Sequence, residues 1–239
     1  MEIIINGAGG RMGKALQAMA AERKICVAAA VDPFVDGMLP DLQSYTGKAE
    51  CILDFSNHAG TKQLCQYAVA TKTPVVVATT GHTQEELTMI REMAKTVPVF
   101  WSGNMSVGIA VLAKLTQQAV AMFPDADIEI VESHHNQKLD VPSGTALMLA
   151  RAAQEARPET HLLVGRHENG KREKKEIGIH SLRMGNTVGI HEVIINTGTQ
   201  VITLKHEAQD RALFAEGALA AAAFLVEQPA GLYTMEDMV

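Results

Sequence analysis

The chain has 239 residues, 47% of them hydrophobic and 20% charged, a balance that indicates a folded globular protein and excludes wholesale disorder. A net charge of −6 and an aromatic content of 4% argue against a protein that binds nucleic acid over a broad basic surface. The sequence has only three cysteines, no ~20-residue apolar run and no signal peptide, so it predicts a cytoplasmic protein without a membrane span or a disulfide framework.

The first hundred residues alternate short apolar runs with longer helical patterns. Strands are predicted at 3–6, 25–32, 50–54, 74–79 and 97–101, and helices at 10–22, 61–72 and 84–95. Nearly continuous apolar strands separated by helices are typical of a buried parallel sheet built from βαβ units. This half is therefore predicted to be an α/β domain with a Rossmann-like, doubly wound parallel sheet.

The pattern changes after residue 105. Helices are predicted at 107–122, 145–155 and 212–226, and strands at 127–132, 176–183, 188–196 and 201–206. Turn signals at Met184-Gly185-Asn186 and Thr197-Gly198-Thr199 predict that the last three strands pair as successive antiparallel hairpins. We expect a dinucleotide-binding domain over 1–105, to which 208–239 returns, and over 106–207 a second α+β domain with an open mixed sheet.

A glycine-rich turn, Gly7-Ala8-Gly9-Gly10-Arg11-Met12-Gly13, joins the first predicted strand to the first predicted helix. Backbone N–H groups without side-chain obstruction, at the N-terminus of a helix, can bind a pyrophosphate. Met12 stands where the strict G-x-G-x-x-G pattern has glycine, so the turn is a G-x-x-G-x-x-G variant. Its strand–turn–helix context predicts a dinucleotide cofactor, and the alternative is a glycine-rich turn that binds none.

Asp32 ends the second predicted strand, where an acidic side chain accepts hydrogen bonds from the adenine ribose of a dinucleotide. Because Pro33 follows it and no cation is adjacent, Asp32 favours NADH over NADPH; an ordinary turn residue is the alternative. The loops after the next three strands share the same sheet edge and would complete a cofactor groove. Those loops are Asp54-Phe55-Ser56, Ala78-Thr79-Thr80-Gly81 and Ser102-Gly103-Asn104-Met105.

The densest polar stretch of the chain runs from Glu132 to Thr145, between a strand and a helix of the second domain. His134 can donate or accept a proton near neutral pH, and Lys138 supplies a compact cation. Ser143-Gly144-Thr145 opens a helix whose free N–H groups suit a carboxylate. Two anion sites beside a proton donor predict a small polycarboxylate substrate.

Other kinds of site fit the second half less well. The adjacent histidines point in different directions and no cysteine or third histidine stands at ligand spacing, so no metal is predicted. No serine or cysteine lies in a nucleophile elbow. The loop 165–175 is either a solvated connector or a gate whose cations steer a dianionic substrate. Those cations are Arg166, Lys171, Arg172, Lys174 and Lys175.

Over essentially its whole length the sequence resembles the 4-hydroxy-tetrahydrodipicolinate reductase (dihydrodipicolinate reductase) family of lysine and diaminopimelate biosynthesis. The most specific element is Glu132-Ser133-His134-His135-x-x-Lys138-x-Asp140-x-Pro142-Ser143-Gly144-Thr145-Ala146. The glycine-rich turn, Asn104-x-Ser106-x-Gly108, the segment 206–211 and Gly231-Leu232-Tyr233-x-Met235 also agree. The sequence departs from the family at Ala78, usually glycine, and at Asn57-His58, which bears on coenzyme affinity.

The resemblance implies a homotetrameric reductase, assembled through the sheet of the second domain, that transfers hydride from NADH or NADPH to a cyclic dicarboxylate. It implies that His134 donates the proton and that Lys138 assists catalysis and holds substrate. His135, Gly144 and Thr145 would bind the substrate carboxylates. The dinucleotide would be bound by Gly7, Ala8, Gly9, Gly10, Arg11, Met12, Asp32, Ala78, Thr79, Thr80, Ser102, Gly103, Asn104 and Met105.

Two other functions are compatible with a two-domain chain of this kind. Another dehydrogenase, acting on an amino acid or a semialdehyde, would lack the paired histidines, the lysine and the Ser-Gly-Thr helix start. A non-catalytic NAD-sensing regulator would keep the glycine-rich turn but would have no need of His134 and Lys138. The presence of both residues favours the reductase.

Overall fold

The computed structural model describes all 239 residues, which divide into two compact units. The first unit comprises Met1–Ser106 and Arg211–Met238, and the second comprises Val107–Asp210. None of the helices combines the length and the apolar character needed to span a membrane.

The chain forms eleven strands and six α-helices, together with three short 3-10 helices. The strands are β1 (Glu2–Asn6), β2 (Cys26–Val31), β3 (Cys51–Asp54), β4 (Val75–Val77), β5 (Pro98–Trp101), β6 (Asp127–His134), β7 (His161–Val164), β8 (Glu176–Arg183), β9 (Gly189–Asn196), β10 (Val201–Ala208) and β11 (Gly231–Tyr233). The helices are α1 (Arg11–Glu22), α2 (Thr61–Thr71), α3 (Gln84–Met93), α4 (Val107–Met122), α5 (Gly144–Ala156) and α6 (Ala212–Leu225).

The first unit is built on a six-stranded parallel sheet in the order β11-β5-β4-β3-β1-β2. The two central strands, β3 and β4, are buried along their whole length, as the apolar runs predict. Helices α2 and α3 pack on the face that carries Ile4 and Ile52, and α6 packs on the other face, where Phe224 meets Phe100. The predicted Rossmann-like, doubly wound α/β fold is confirmed.

The second unit contains a five-stranded mixed sheet in the order β10-β9-β6-β8-β7. Helices α4 and α5 cover one face, and the side chains that meet them, such as Ile130 and Val193, are fully buried. Side chains on the opposite face are only partly buried, including Ile190 and Ile194, and Val201 is 57% exposed. The sheet therefore leaves one mixed apolar and polar face uncovered within the chain.

The predicted hairpin between 176–183 and 188–196 is wrong. Strand β6 lies between β8 and β9, and it pairs with β8 in parallel and with β9 in antiparallel. The turn that follows β8 crosses the end of β6, where the Met184 N–H donates to the His134 carbonyl and the Asn136 N–H to the Gly185 carbonyl. The local sequence of a glycine turn does not show whether the turn joins two adjacent strands or crosses over a third strand that lies between them. The second predicted hairpin, β9–β10, is confirmed by a continuous antiparallel register.

Two short strands were absent from the sequence-based assignment. Strand β7 is a four-residue edge strand next to the polar loop 165–175, and β11 is a three-residue edge strand that pairs with β5. Neither is long enough to show an alternating or continuous apolar pattern. Each is defined by the strand that it pairs with rather than by its own side chains.

Gly217 allows α6 to pack closely within the first unit. A Cβ atom at this position would lie 1.7 Å from the Met105 carbonyl oxygen. Although alanine is the better helix former, we expect Gly217→Ala to lower the free energy of unfolding by about 1–3 kcal/mol, because the backbone must shift to accept the methyl group. Urea denaturation followed by circular dichroism measures this change.

Gly60→Ala is the matched control. Gly60 has helical dihedral angles, and the nearest heavy atom to the added methyl group would be the Ser56 Oγ at 4.0 Å, so this substitution should leave the unfolding midpoint unchanged or slightly raised. Equal stability of Gly217→Ala and the unsubstituted protein would contradict the packing argument.

Candidate active site

The glycine-rich turn packs closely against other parts of the backbone. At Gly7 and Gly13 this packing leaves no room for a side chain. Gly7 has a φ of +83°, and a Cβ there would lie 2.5 Å from the Phe55 carbonyl oxygen. A Cβ at Gly13 would lie 2.2 Å from the Gly7 carbonyl oxygen. Helix α1 begins after Gly10 without a side-chain cap, which leaves its first N–H groups available to an anion. The turn therefore fits the pyrophosphate of a dinucleotide.

Asp32 lies beside this turn at the end of β2. Its two carboxylate oxygens accept hydrogen bonds from the backbone N–H groups of Gly9 and Phe34, each at 3.0 Å. Each oxygen keeps further acceptor capacity for a hydroxyl group. Asp32 also lines a cavity of about 610 Å³ that extends along the ends of β1, β2 and β3. The cavity is lined by Gly7, Gly10, Asp32, Phe34, Leu42, Phe55 and Gln63, among others.

The other predicted cofactor loops occupy the same edge of the first sheet. The backbone N–H groups of Ala78 and Thr79 donate to the Asp54 carbonyl at 3.0 and 3.2 Å, which ties the end of β4 to the end of β3. The Ser102 N–H donates to the Val77 carbonyl, and the Ser102 hydroxyl donates to the Asn104 carbonyl at 2.7 Å. The structure thus brings together the loops that follow β1 to β5.

Asp54 holds this edge together through hydrogen bonds of its buried side chain. Its side chain is 2% exposed and accepts hydrogen bonds from Asn6 at 2.7 Å and from the Ser56 hydroxyl at 2.6 Å. Burial raises the pKa of the Asp54 carboxyl, and hydrogen bonds from Ser56, Thr79 and Asn6 oppose that effect. The sequence pattern placed Asp54 on the correct edge without indicating this bonding role.

In the second unit, His134 is the last residue of β6 and only 8% of it is exposed. Its Nδ1 lies 2.5 Å from the Glu132 Oε2, two residues back on the same face of the strand. A Cβ at Gly189 would lie 3.2 Å from the His134 Nε2, so glycine at that position leaves the second ring nitrogen uncrowded. The contact with Glu132 therefore fixes the ring through Nδ1, and Nε2 remains uncrowded.

Glu132 is fully buried and receives four hydrogen bonds. Oε2 accepts from His134 and from the Arg183 Nη1 at 2.8 Å, while Oε1 accepts from the Arg183 Nη2 at 2.8 Å and from the Ser143 N–H at 3.1 Å. Burial would raise the pKa of the Glu132 carboxyl, but its hydrogen bonds, of which those from Arg183 have the largest effect, outweigh burial and lower the pKa to about 2. Glu132 is therefore an anion at neutral pH.

Influences of opposite sign act on the pKa of His134, and their net effect lowers it. Burial disfavours the imidazolium and is the larger effect, whereas the hydrogen bond and the charge of Glu132 favour it. The positive charges of Lys138 and Arg183 lower the pKa further. The neutral form of the ring is consequently favoured more than in an exposed histidine.

The remaining predicted substrate residues lie in the loop 135–145, which follows this histidine in the chain. Lys138 lies 2.8 Å from the Asp140 Oδ1, and this contact lowers the pKa of the Asp140 carboxyl. Ser143 caps α5, its hydroxyl accepting the Ala146 N–H at 3.2 Å. A Cβ at Gly144 would meet no atom within 4 Å, so the start of α5 is open at that point. His135 and Thr145 are partly exposed beside it.

Three residues of this site were not assigned a role from the sequence. Glu132 belongs to the same polar stretch as His134, and its spacing from His134 on a strand is the one local signal that joins them. Arg183 and His191 reach the site through the sheet register, which pairs Arg183 with His134 and His191 with Glu132. His191 packs edge-on against the His134 ring at 5.1 Å, and burial first, then the nearby His134, lower its pKa to about 4.

The loop 165–175 lies at the other end of the second sheet from His134. Arg172 pairs with Asp127 at 2.8 Å and with Glu129 at 3.2 Å, near the start of β6, and Arg166 pairs with Glu176 at 2.6 Å. Two of the five cations that could steer a substrate are therefore already neutralised by carboxylates. This arrangement favours the connector over the gate.

Comparison with known proteins gives a consistent family assignment. Models described as "Dihydrodipicolinate reductase, N-terminus" and "Dihydrodipicolinate reductase, C-terminus" match residues 1–105 and 108–239. Two curated proteins named 4-hydroxy-tetrahydrodipicolinate reductase, from Caldanaerobacter subterraneus and Clostridium novyi, are 45% and 41% identical. In both cases the match covers 100% of this chain and 98% of the relative.

The solved structures agree with this result. The dipicolinate-bound dihydrodipicolinate reductase from Paenisporosarcina sp. TG-14 superposes with a TM-score of 0.86 at 25% identity, over 100% of this chain and 99% of that one. A probable dehydrogenase from Thermotoga maritima, with a TM-score of 0.63 at 12% identity over 99% and 92% of the two chains, shares the fold alone. The predicted family is thus confirmed: the chain belongs to the dihydrodipicolinate reductases, the NAD(P)H-dependent reductases of lysine and diaminopimelate biosynthesis.

Proposed function

We propose that this chain reduces 4-hydroxy-tetrahydrodipicolinate, through its dehydrated form dihydrodipicolinate, to tetrahydrodipicolinate. The dinucleotide would bind to the first unit, at the glycine-rich turn and the neighbouring loop ends, and the substrate to the second. The observation that carries the proposal is the pairing of a buried, carboxylate-held histidine with Lys138 and an open helix start. That set combines a proton donor with positive charge suited to a dicarboxylate.

The chemistry divides between the cofactor and the protein. A bound NADH or NADPH supplies the hydride, which adds to the ring carbon C4 conjugated with the substrate imine. The ring is then an enamine that must gain one proton, and His134 donates it from Nε2. Glu132 stabilises the positive charge that His134 carries before the transfer, because its anionic carboxylate accepts the Nδ1–H bond.

The remaining residues hold the two substrate carboxylates. Lys138 provides a cation, and His135 provides a ring that contacts a carboxylate. The N–H groups at Gly144 and Thr145 lie at the start of α5, where the helix dipole favours an anion. These interactions neutralise the substrate and also stabilise charge that develops during proton transfer.

Two substitutions separate proton transfer from substrate binding. We expect His134→Gln to lower kcat by about 10²–10⁴ with a smaller change in KM, because it removes the general acid. Lys138→Ala removes charge neutralisation in both the ground and transition states, so it should raise KM and also lower kcat. Steady-state kinetics of NADH oxidation at 340 nm measure both variants.

His167→Gln is the control for these variants. His167 lies in the loop 165–175 at the other end of the second sheet from His134, its side chain is 80% exposed, and its loss should leave kcat unchanged. Fluorescence titration should give the unsubstituted NADH affinity for all three variants. A near-normal kcat in His134→Gln would exclude His134 as the proton donor.

We propose further that NADH binds at least as tightly as NADPH. Asp32 would repel a 2′-phosphate, and Pro33 places no cation next to it. Replacing the carboxylate by an amide in Asp32→Asn should improve NADPH binding relative to NADH by about tenfold. Dissociation constants for both coenzymes, measured by calorimetry, test this expectation.

Asp36→Asn is the matched control, since it removes an exposed carboxylate of the same segment that does not line the cavity. It should leave the ratio of the two dissociation constants unchanged. Clearly tighter binding of NADPH by the unsubstituted protein would overturn the proposed preference.

We propose that the chain forms a homotetramer through the uncovered face of the second sheet. The partly buried Ile190 and Ile194 lie on that face, and Val201 at its edge is 57% exposed. A broad sheet face of this composition is typical of an interface. Light scattering at micromolar concentration should give four times the mass of the chain, and Ile194→Lys should reduce that mass.

Met122→Lys provides the comparison for this substitution. Met122 ends α4, on the other side of the second unit, and is 74% exposed, so the introduced charge should leave the assembly intact. A monomer mass for the unsubstituted protein would contradict the proposal.

A further inference from the structure

Arg183 contacts two segments of the site in the second unit, the end of β6 and the loop 135–145. Through Nη1 and Nη2 it donates two hydrogen bonds of 2.8 Å to the carboxylate of Glu132, the residue that holds His134. The same Nη2 donates to the Asp140 carbonyl at 2.8 Å, and Asp140 is the ion-pair partner of Lys138. One guanidinium therefore links the strand that carries His134 to the loop that carries Lys138.

The contacts of Glu132 determine which nitrogen of His134 carries a hydrogen in the neutral ring. Because Glu132 is an anion, it can only accept hydrogen bonds, so His134 must donate from Nδ1. The second nitrogen, Nε2, is then the site that gains and loses a proton. Arg183 stabilises this anion further, because its two hydrogen bonds add to those that the fully buried Glu132 carboxylate accepts from His134 and Ser143.

We propose that Glu132 and Arg183 are positioning residues for the reaction, Glu132 holding His134 in the Nδ1–H form and Arg183 fixing Glu132 and the Lys138 loop together. The inference rests on the proposed function of His134 and Lys138. Neither Glu132 nor Arg183 is required to touch the substrate. Their effects should therefore appear in the protonation of His134 and in the division between kcat and KM.

The charged and titratable groups around His134 make the expected directions definite. Glu132 on β6 favours the imidazolium, whereas Arg183 on β8 and Lys138 in the loop disfavour it. Asp140 is paired with Lys138. Two further histidines, His191 on β9 and His206 paired with it on β10, have pKa values lowered by burial and remain neutral at neutral pH.

The two positioning residues should consequently shift the pKa of His134 in opposite directions. Glu132→Gln removes the anion, so the pKa of His134 should fall. Arg183→Gln removes a cation, while Glu132 keeps its hydrogen bonds from Ser143 and His134, so the pKa of His134 should rise. A role confined to packing would not produce shifts of opposite sign.

Titration of the His134 ring by nuclear magnetic resonance, with isotope-labelled histidine, measures this directly. The nitrogen shifts of the unsubstituted protein should show the Nδ1–H form above the pKa, and Glu132→Gln should weaken that preference. Glu129→Gln is the control, because Glu129 lies on the same strand, faces the other side and also pairs with an arginine, Arg172. It should leave the His134 titration unchanged.

Kinetics of the same variants test the positioning roles separately. Glu132→Gln should lower kcat by about 10² or more, approaching the loss of the general acid, with a small change in KM. Arg183→Gln should lower kcat and also raise KM, because the Lys138 loop loses its contact with the guanidinium. Arg183→Lys should restore the pKa of His134 but not KM, since one ammonium lacks the planar fork that reaches both Glu132 and Asp140.

Opposite shifts of the His134 pKa in Glu132→Gln and Arg183→Gln support the proposal. If Arg183→Gln fails to fold, a fall of that pKa in Glu132→Gln together with raised KM in Arg183→Lys supports it instead. Shifts of the same sign, unchanged titrations, or equal effects in Glu129→Gln would overturn it. The titration needs no substrate, so it remains decisive even if the unsubstituted protein fails to reduce dihydrodipicolinate, a result that would overturn the proposed function instead.

Discussion

The carboxylate of Glu132 is fully buried, and its four hydrogen bonds come from three separate parts of the second unit. His134 lies on the same strand, Arg183 ends the neighbouring strand β8, and Ser143 begins α5. A buried charge is tolerated only when such partners compensate for lost hydration, and removing one partner typically costs about 3–5 kcal/mol. The strand ends and the helix start are therefore held together around this carboxylate, and the loss of one partner is expected to lower the stability of the unit.

The same constraint places the groups that are proposed to act on a substrate. Because the Ser143 N–H bonds to Glu132 and its hydroxyl caps α5, the open start of that helix is held near His134. Arg183 extends the network to the Asp140 carbonyl and thus to the loop of Lys138. The bonds that compensate for the buried charge are therefore the same bonds that fix the geometry of the candidate site.

Close backbone packing shapes the candidate site of the first unit, whereas a buried charge organises that of the second unit. Gly7 and Gly13 allow the turn before α1 to approach β3 and itself at distances that no side chain would permit. The uncapped N–H groups of α1 then face the sheet edge at which the loops after β3, β4 and β5 also end. Close backbone approach of this kind depends on the absence of side chains, so a glycine pattern indicates it in the sequence.

The sequence predicted the elements whose signals are local. The apolar runs of β3 and β4 are buried along their length, and the β9–β10 hairpin has the predicted turn. The β8–β9 hairpin was wrong because a glycine turn does not reveal whether a third strand lies between its arms. The edge strands β7 and β11 were missed because three or four residues carry no distinguishing period.

The amino-acid sequence by itself determined the family, the glycine-rich turn between β1 and α1, and the loop that holds His134, Lys138 and Gly144, because the residues of each motif are close together along the chain. Only the tertiary structure decided that Arg183 and His191 join them, since both arrive from strands whose register with β6 depends on packing across the whole sheet. A shift of one residue in either register would turn these side chains to the opposite face. The partners of His134 are therefore a property of the folded sheet and not of any local motif.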